Sequence, residues 1–309
     1  MAKVSVIIPA RKEPYLRETL RDLYANRAGE IETFVILDGW EPEFPIAEYP
    51  GMKILRNRTA QGMRPSVNEA AKAASGKYLM KMDAHCSIGE GWDEILKADC
   101  EDNWIVVPRR YWWDAPNWRP LIDQHGNIGY VEAMSYRYPH RRPYDPYLTT
   151  RPDPARAERD KELLLAEDMG CQGSLWFMQA AHFKRLGGMS SYGYGTFSSE
   201  PEEINLKTQL GPWQGKVMRN KKTWYAHWAK PNSHWLAAPE AAGRVTDEER
   251  RRGNLYCYDF WFNNRWSERV HDFEWLVEKF WPLPDWPEDW RWLVTQYDRY
   301  EMPKVVPNV

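Results

Sequence analysis

The sequence predicts an α/β fold in which a mostly parallel sheet carries helices on its faces, and three observations predict it. The chain opens on a β-branched run, VSVIIPA (4–10), of the kind that a parallel strand shows when both its faces are buried. Strand-like and helix-like segments then alternate as far as residue 85, which is the pattern of βα units. Polar residues gather at the carboxyl ends of these runs, where open parallel sheets bind their ligands.

Taken in order, Leu16, Leu20, Leu23 and Tyr24 follow Pro14 at helical spacing, and Asn26–Gly29 ends the stripe. ETFVILDG (32–39) is the second strand, with Asp38 at its carboxyl end, and MKILRN (52–57) is the third. Ser66 is expected to cap a helix whose Val67, Ala70, Ala71 and Ala74 face inward and which Gly76 stops. KYLMKMD forms the fourth strand, WDEILKA (92–98) a short helix and WIVVP (104–108) a fifth strand. From Arg109 to Lys161 regularity fades, and this proline- and aromatic-rich stretch reads as an elaborated excursion on the acceptor side of the fold. Order returns with GSLWFM (173–178), the helix QAAHFKRL ended by Gly187 and Gly188, the loop YGYGTF, a helix near Glu202–Leu210 and the strand TWYAHW (223–228).

A chain of 309 residues holds one large domain, or one domain with an appendage. A formal net charge of −2 argues against a dedicated nucleic-acid coat or membrane-surface protein. Four cysteines without a C-x-x-C pair read as reduced thiols. The first strand begins at Val4, and no apolar stretch approaches the roughly 18 residues of a membrane span, so a soluble cytoplasmic protein is expected. Eleven of the eighteen tryptophans lie beyond residue 210, which sets residues 231–309 apart as a tryptophan-rich extension to a domain of residues 1–230.

Residues two apart on an extended chain point the same way, so Asp83 and His85 in KYLMKMDAH present a carboxylate and an imidazole to one ion. Alone, the pair reads as a buried strand running into a polar turn. Its neighbours alter that reading, because Pro9, Ala10, Arg11, Glu13 and Asp38 fall at the same edge of the predicted sheet.

The order of these motifs resembles the family 2 glycosyltransferases and, in its D-A-H motif, the polypeptide N-acetylgalactosaminyltransferases, both built on the Rossmann-like GT-A fold. The likeness covers about residues 3–230 and is most specific over RTAQGMRPSVNEAAKAASGKYLMKMDAH, where Gly62, Arg64 and Asn68 fall at matching positions. It implies Asp83, His85 and His227 as ligands of Mn2+ (or Mg2+). It also implies a nucleotide-sugar site drawn from Pro9, Ala10, Arg11, Glu13, Asp38, Gly62, Arg64, Asp83 and Trp176. A mobile loop carrying His234 and Trp235 is expected after His227. In SSEPEEINLK, Glu200 and Glu203 keep the family's acidic spacing, whereas Ser198 and Ser199 replace glycines, Lys207 replaces an arginine and Pro201 stands where inverting members carry an acidic residue. Glu200, Glu203 and Arg64 are the implied catalytic residues, with Arg64 pairing with phosphate or with Asp83.

The implied reaction moves a sugar from a nucleoside diphosphate sugar, a UDP-sugar, to an acceptor hydroxyl, leaning toward retention. Glycan, protein, small molecule and modified nucleic acid stay open as acceptors. Two other readings compete. A nucleotidyltransferase would carry a glycine-rich first loop, and PARKEP has no glycine. A non-catalytic binder of carbohydrate or nucleic acid would use the tryptophan-rich tail and RYPHRRPYDPYLTTR, where arginines interleave with tyrosines.

Overall fold

The computed structural model describes residues 3–139, 146–230 and 246–291. Strand β1 (Val4–Ala10) is buried at every position but Pro9, because the sheet continues on both sides of it. Helix α1 (Leu16–Ala25) lays Leu16, Leu20, Leu23 and Tyr24 on the sheet. Strand β2 (Ile31–Asp38) is buried at all its positions and runs parallel to β1 from Val4↔Ile31 to Ala10↔Leu37. Strand β3 (Met52–Asn57) adds to β2, again parallel.

Helix α2 (Met63–Ala73) begins four residues earlier than the sequence suggests. Gly62 precedes it at φ 92°, and Pro65 occupies its first turn, where a missing N–H leaves no bond unmade. Ser66 is therefore inside the helix, its backbone N–H bonded to the Gly62 carbonyl at 3.2 Å, and it does not act as the cap. Strand β4 (Tyr78–Met82) lies parallel to β1 on the side away from β2.

Strand β5 (Cys86–Ile88), helix α3 (Trp92–Ala98) and strand β6 (Trp104–Asp114) follow. β6 extends six residues into the stretch read as irregular. Tryptophans, arginines and a tyrosine hide its alternation there, but it pairs with β13 as far as Trp112 and with two short strands on its other side at Arg110–Tyr111 and Trp113–Asp114. Short strands β7 (Arg119–Pro120), β8 (Tyr130–Val131), β9 (Met134–Tyr136) and β10 (Thr150–Pro152) and helix α4 (Pro154–Arg159) organise the rest of the excursion. Strand β11 (Leu165–Asp168), strand β12 (Leu175–Gln179), helix α5 (Ala180–Arg185), helix α6 (Glu200–Leu210) and strand β13 (Lys216–His227) complete the sheet region.

The main sheet runs β11-β13-β6-β12-β4-β1-β2-β3. It is parallel through β4-β1-β2-β3 and between β6 and β13, while β12 lies antiparallel between β4 and β6. Apolar periodicity marks a strand but not its direction, which is why this mixture was not legible beforehand.

Beyond the sheet, α7 (Asp247–Phe262) and α8 (Phe273–Phe280) pack on α6. Trp261, Trp266, Trp286 and Trp290 form a second core with Tyr136, Tyr194, Leu206 and Leu210. Two of these indoles find partners: Trp261 donates to the Tyr194 hydroxyl at 2.7 Å and Trp286 to the Tyr136 carbonyl at 2.7 Å. Burial of the ring with its N–H satisfied is what makes tryptophan usable in such a core. The four cysteines are free and buried. Among the described residues no helix is long and apolar enough to cross a membrane.

Candidate active site

Three strands build the site. β4 delivers Asp83 just past its carboxyl end, where the Asp83 N–H donates to the Ser174 carbonyl at 2.9 Å. β5 then pairs antiparallel with the end of β13, His227 opposite Cys86, so that the two histidines meet although they lie 142 residues apart. Asp83, His85 and His227 each aim one ligand atom at a common point, all within 4.8 Å of one another. The Nε2 atoms of His85 and His227 are 3.1 Å apart, and Asp83 Oδ2 lies 3.3 Å from His227 Nε2 and 3.9 Å from His85 Nε2. One carboxylate and two imidazoles converging this way fit a divalent cation.

Each of the three is held from behind. His85 Nδ1 is 2.9 Å from Glu13 Oε2, and Glu13 Oε1 meets Lys230 Nζ at 2.5 Å. An ionised carboxylate only accepts, so Nδ1 carries the proton and Nε2 keeps a lone pair for a metal. Burial would raise the Glu13 pKa, but His85 and Lys230 outweigh it and hold the carboxyl below its ordinary value. Asp83 Oδ1 receives Lys81 Nζ at 2.6 Å. Burial opposes the charge on Asp83 too, yet Lys81 and the two histidines keep its pKa well below the usual carboxylate range. Behind His227, Arg110 Nη2 stands 3.2 Å from Nδ1. Burial, reinforced by His85 and Arg110 and opposed by Asp83, lowers the His227 pKa to about 3, so the ring is neutral; a guanidinium only donates, so Nδ1 accepts here and the proton sits on Nε2, which offers a lone pair to a metal once that proton shifts to Nδ1 and Arg110 turns from it.

The other residues anticipated from sequence divide into those at this edge and those that brace it. Pro9 and Ala10 end β1, and Arg11 follows, its pKa lowered by burial against the pull of Asp38. Asp38 closes the neighbouring loop. Its Oδ1 accepts from Asn57 Nδ2 at 2.8 Å and Gln61 N at 2.7 Å, and its Oδ2 accepts from Gly62 N at 2.8 Å. Gly62 sits where a Cβ would meet the Thr196 side chain at 2.3 Å, so it is required by packing as well as by its φ.

Arg64 does not pair with Asp83. It is fully buried and donates to Glu203, to the Ser198 carbonyl at 2.9 Å and to the Ser190 carbonyl at 3.0 Å, with Tyr194 stacked 4.3 Å from its guanidinium. Glu203 also binds Lys207 at 2.7 Å and the Ser190 N–H at 3.1 Å. These three residues are a brace between α2, the loop before α6, and α6 itself. Trp176 is likewise fully buried and offers no ring face; its indole donates to Glu200 Oε1 at 2.7 Å. Glu200 reaches the metal group through Lys81, whose Nζ lies 3.3 Å from Glu200 Oε2 as well as on Asp83. Burial raises the Glu200 pKa, partly offset by Lys81 and Trp176. His234 and Trp235 lie outside the described residues, as do residues 140–145 within the segment RYPHRRPYDPYLTTR.

Sequence reasoning missed Lys81, Arg110 and Lys230. Lys81 had a signal: it interrupts an apolar strand two residues before Asp83 and so shares its face. Arg110 was hidden in the supposed excursion, and Lys230 follows the last strand with no pattern to mark it.

Three comparisons bear on this geometry. A polypeptide N-acetylgalactosaminyltransferase 13 of Drosophila melanogaster, described as putative, is 44% identical over 46 residues, 15% of this chain and 8% of its own length. A crystal structure of GalNAc-T7 with UDP, GalNAc and Mn2+ superposes with a TM-score of 0.65 at 16% identity, over 85% of this chain and 50% of that one. The mannosyltransferase PcManGT of Pyrobaculum calidifontis, with GDP-Man and Mn2+, gives 0.48 at 12% identity over 84% and 70%. The chain thus spans about half the length of GalNAc-T7, and at this identity the likeness establishes a shared fold, the GT-A arrangement expected from the sequence. The family model described as "Glycosyl transferase family 2" matches residues 5–181, more than half of the chain and the stretch that contains β1 to β12 with Asp83 and His85. By that match, the chain belongs to glycosyl transferase family 2.

Proposed function

We propose that the protein is a metal-dependent glycosyltransferase that moves a sugar from a UDP-sugar to an acceptor hydroxyl, with residues 1–230 carrying the chemistry. The observation that carries this reading is the convergence of Asp83, His85 and His227 at the carboxyl ends of the strands, where α/β sheets bind nucleotides. The UDP and Mn2+ in the GalNAc-T7 structure and the D-A-H motif support the same donor and ion. Asp83, His85 and His227 hold the cation, which, when bound, neutralises the charge of a departing diphosphate. Mn2+ suits a set that joins imidazole to carboxylate.

The chain's own groups prepare that site. Glu13 fixes the His85 ring and tautomer, and Lys81 holds Asp83 Oδ1 so that Oδ2 faces the histidines. Pro9, Ala10, Arg11 and Asp38 form the edge against which the nucleoside lies. In the transfer, the bond from the anomeric carbon to the β-phosphate oxygen breaks and one to the acceptor oxygen forms. Both family-spaced glutamates of α6 are buried and engaged, and Pro201 stands between Glu200 and Glu202. This favours retention, with the departing phosphate oxygen taking the acceptor proton on the same face.

A panel of nucleotide sugars with and without Mn2+, read by release of nucleoside diphosphate, tests the proposal. Mn2+-dependent release from a UDP-sugar that Asp83→Asn abolishes is expected. Release from none of the panel, together with unchanged UDP-induced thermal stabilisation in Asp83→Asn, sinks it.

A further inference from the structure

The two histidines of the metal group are supported by groups of opposite charge. His85 Nδ1 faces the carboxylate of Glu13, the usual arrangement behind a metal-ligating histidine. His227 Nδ1 instead faces the guanidinium of Arg110 at 3.2 Å. Arg110 is 4% exposed, lies 4.1 Å over the Trp112 ring, and its Nε has no hydrogen-bond partner. Among the described residues no carboxylate pairs with it, although Lys81 and Lys230 at the same site each have one. A buried cation without a counter-ion is costly, and a second cation on the far nitrogen of the same imidazole adds to that cost. The diphosphate of the donor is the anion that the proposed reaction brings to this site.

We propose that Arg110 is a positioning residue that makes metal binding depend on the nucleotide: its unpaired charge behind His227 opposes a lone dication and is offset when a diphosphate binds. The proposal rests on the metal reading above and adds an order of loading to it. With Arg110 in place, the cation binds well only together with the diphosphate. Removing the charge of Arg110 lets the metal bind by itself.

Free Mn2+ followed by electron paramagnetic resonance, with and without UDP, tests this without any turnover. In the unaltered protein UDP should tighten Mn2+ binding by about tenfold or more. Arg110→Met should bind Mn2+ alone more tightly and lose most of the UDP effect, and Arg110→Lys should restore it. Should Arg110→Met not fold, Arg110→Gln, which keeps a polar group against His227 and drops the charge, gives the same comparison. A folded charge-removing variant with unaltered Mn2+ affinity and an unaltered UDP effect overturns the proposal, and so does an unaltered protein that binds Mn2+ equally with and without UDP. No Mn2+ binding under either condition has a different meaning, because it removes the metal reading itself and this inference with it.

Discussion

At the scale of single residues, the site separates the Asp83, His85 and His227 group from the residues that hold it in place. Glu13 belongs to the second kind. Glu13→Gln leaves a hydrogen bond to His85 but removes the charge that Lys230 and His85 share, and metal affinity should fall roughly 10- to 100-fold, measured by Mn2+ titration. Arg64 and Glu203 are a structural pair with side chains 0% and 1% exposed. Arg64→Met leaves Glu203 partnered only by Lys207 and the Ser190 N–H, and should cost about 3–5 kcal/mol in urea unfolding. Were Arg64 a phosphate ligand, the same change would weaken UDP binding in the folded protein with little loss of stability. His182, buried against Thr208 at 3.0 Å, has its pKa lowered to about 4, by burial first and then by Arg185. Between pH 6.5 and 4 the unfolded chain binds a proton that the folded chain does not, so this contribution is complete above 6.5 and is lost as pH falls toward 4. The loss amounts to about 3 kcal/mol at most, and His182→Gln should flatten that part of the pH–stability curve.

At the scale of elements, legibility followed periodicity. The runs VSVII and ETFVILD are dominated by β-branched and apolar residues and appear in the structure as strands within one residue of their expected limits. Residues 109–114 carry arginine, tyrosine, tryptophan and aspartate, and β6 continues through them because β13 and β8 supply its backbone partners. Long-range pairing does not write itself into local composition. The same limit applies to the site: a spacing of two residues put Asp83 and His85 on one face, but the place of His227 needed the family pattern, and the roles of Arg110 and Lys81 needed coordinates. α6 shows how one helical turn can serve several neighbours, since Glu200 faces Trp176 and Lys81 while Glu203 faces Arg64. The helix starts on Ser199 at φ 50°, and the turn before it is fixed by Arg64 through the Ser198 carbonyl.

At the scale of the whole molecule, two apolar clusters share α6: Ile204 lies in the core of the sheet, and Leu206 and Leu210 in the tryptophan-rich core with α7 and α8. The C-terminal tryptophans therefore support the helix that carries Glu200 and Glu203. Trp261→Ala should destabilise the protein by about 3–5 kcal/mol, and a thermal melt of the folded variant should show a lower midpoint with Mn2+ and UDP binding retained. Loss of ligand binding at full stability would instead place that tryptophan in the site. The strand pairing of β5 with β13 has a consequence in time. Its two histidines are separated by 142 residues, and the hydrogen-bond partner of Glu13, Lys230, comes later still. During synthesis the D-A-H motif emerges long before the residues that complete its ion site. An incomplete chain therefore lacks the third member of the Asp83, His85 and His227 group, which is assembled only when the last strand docks.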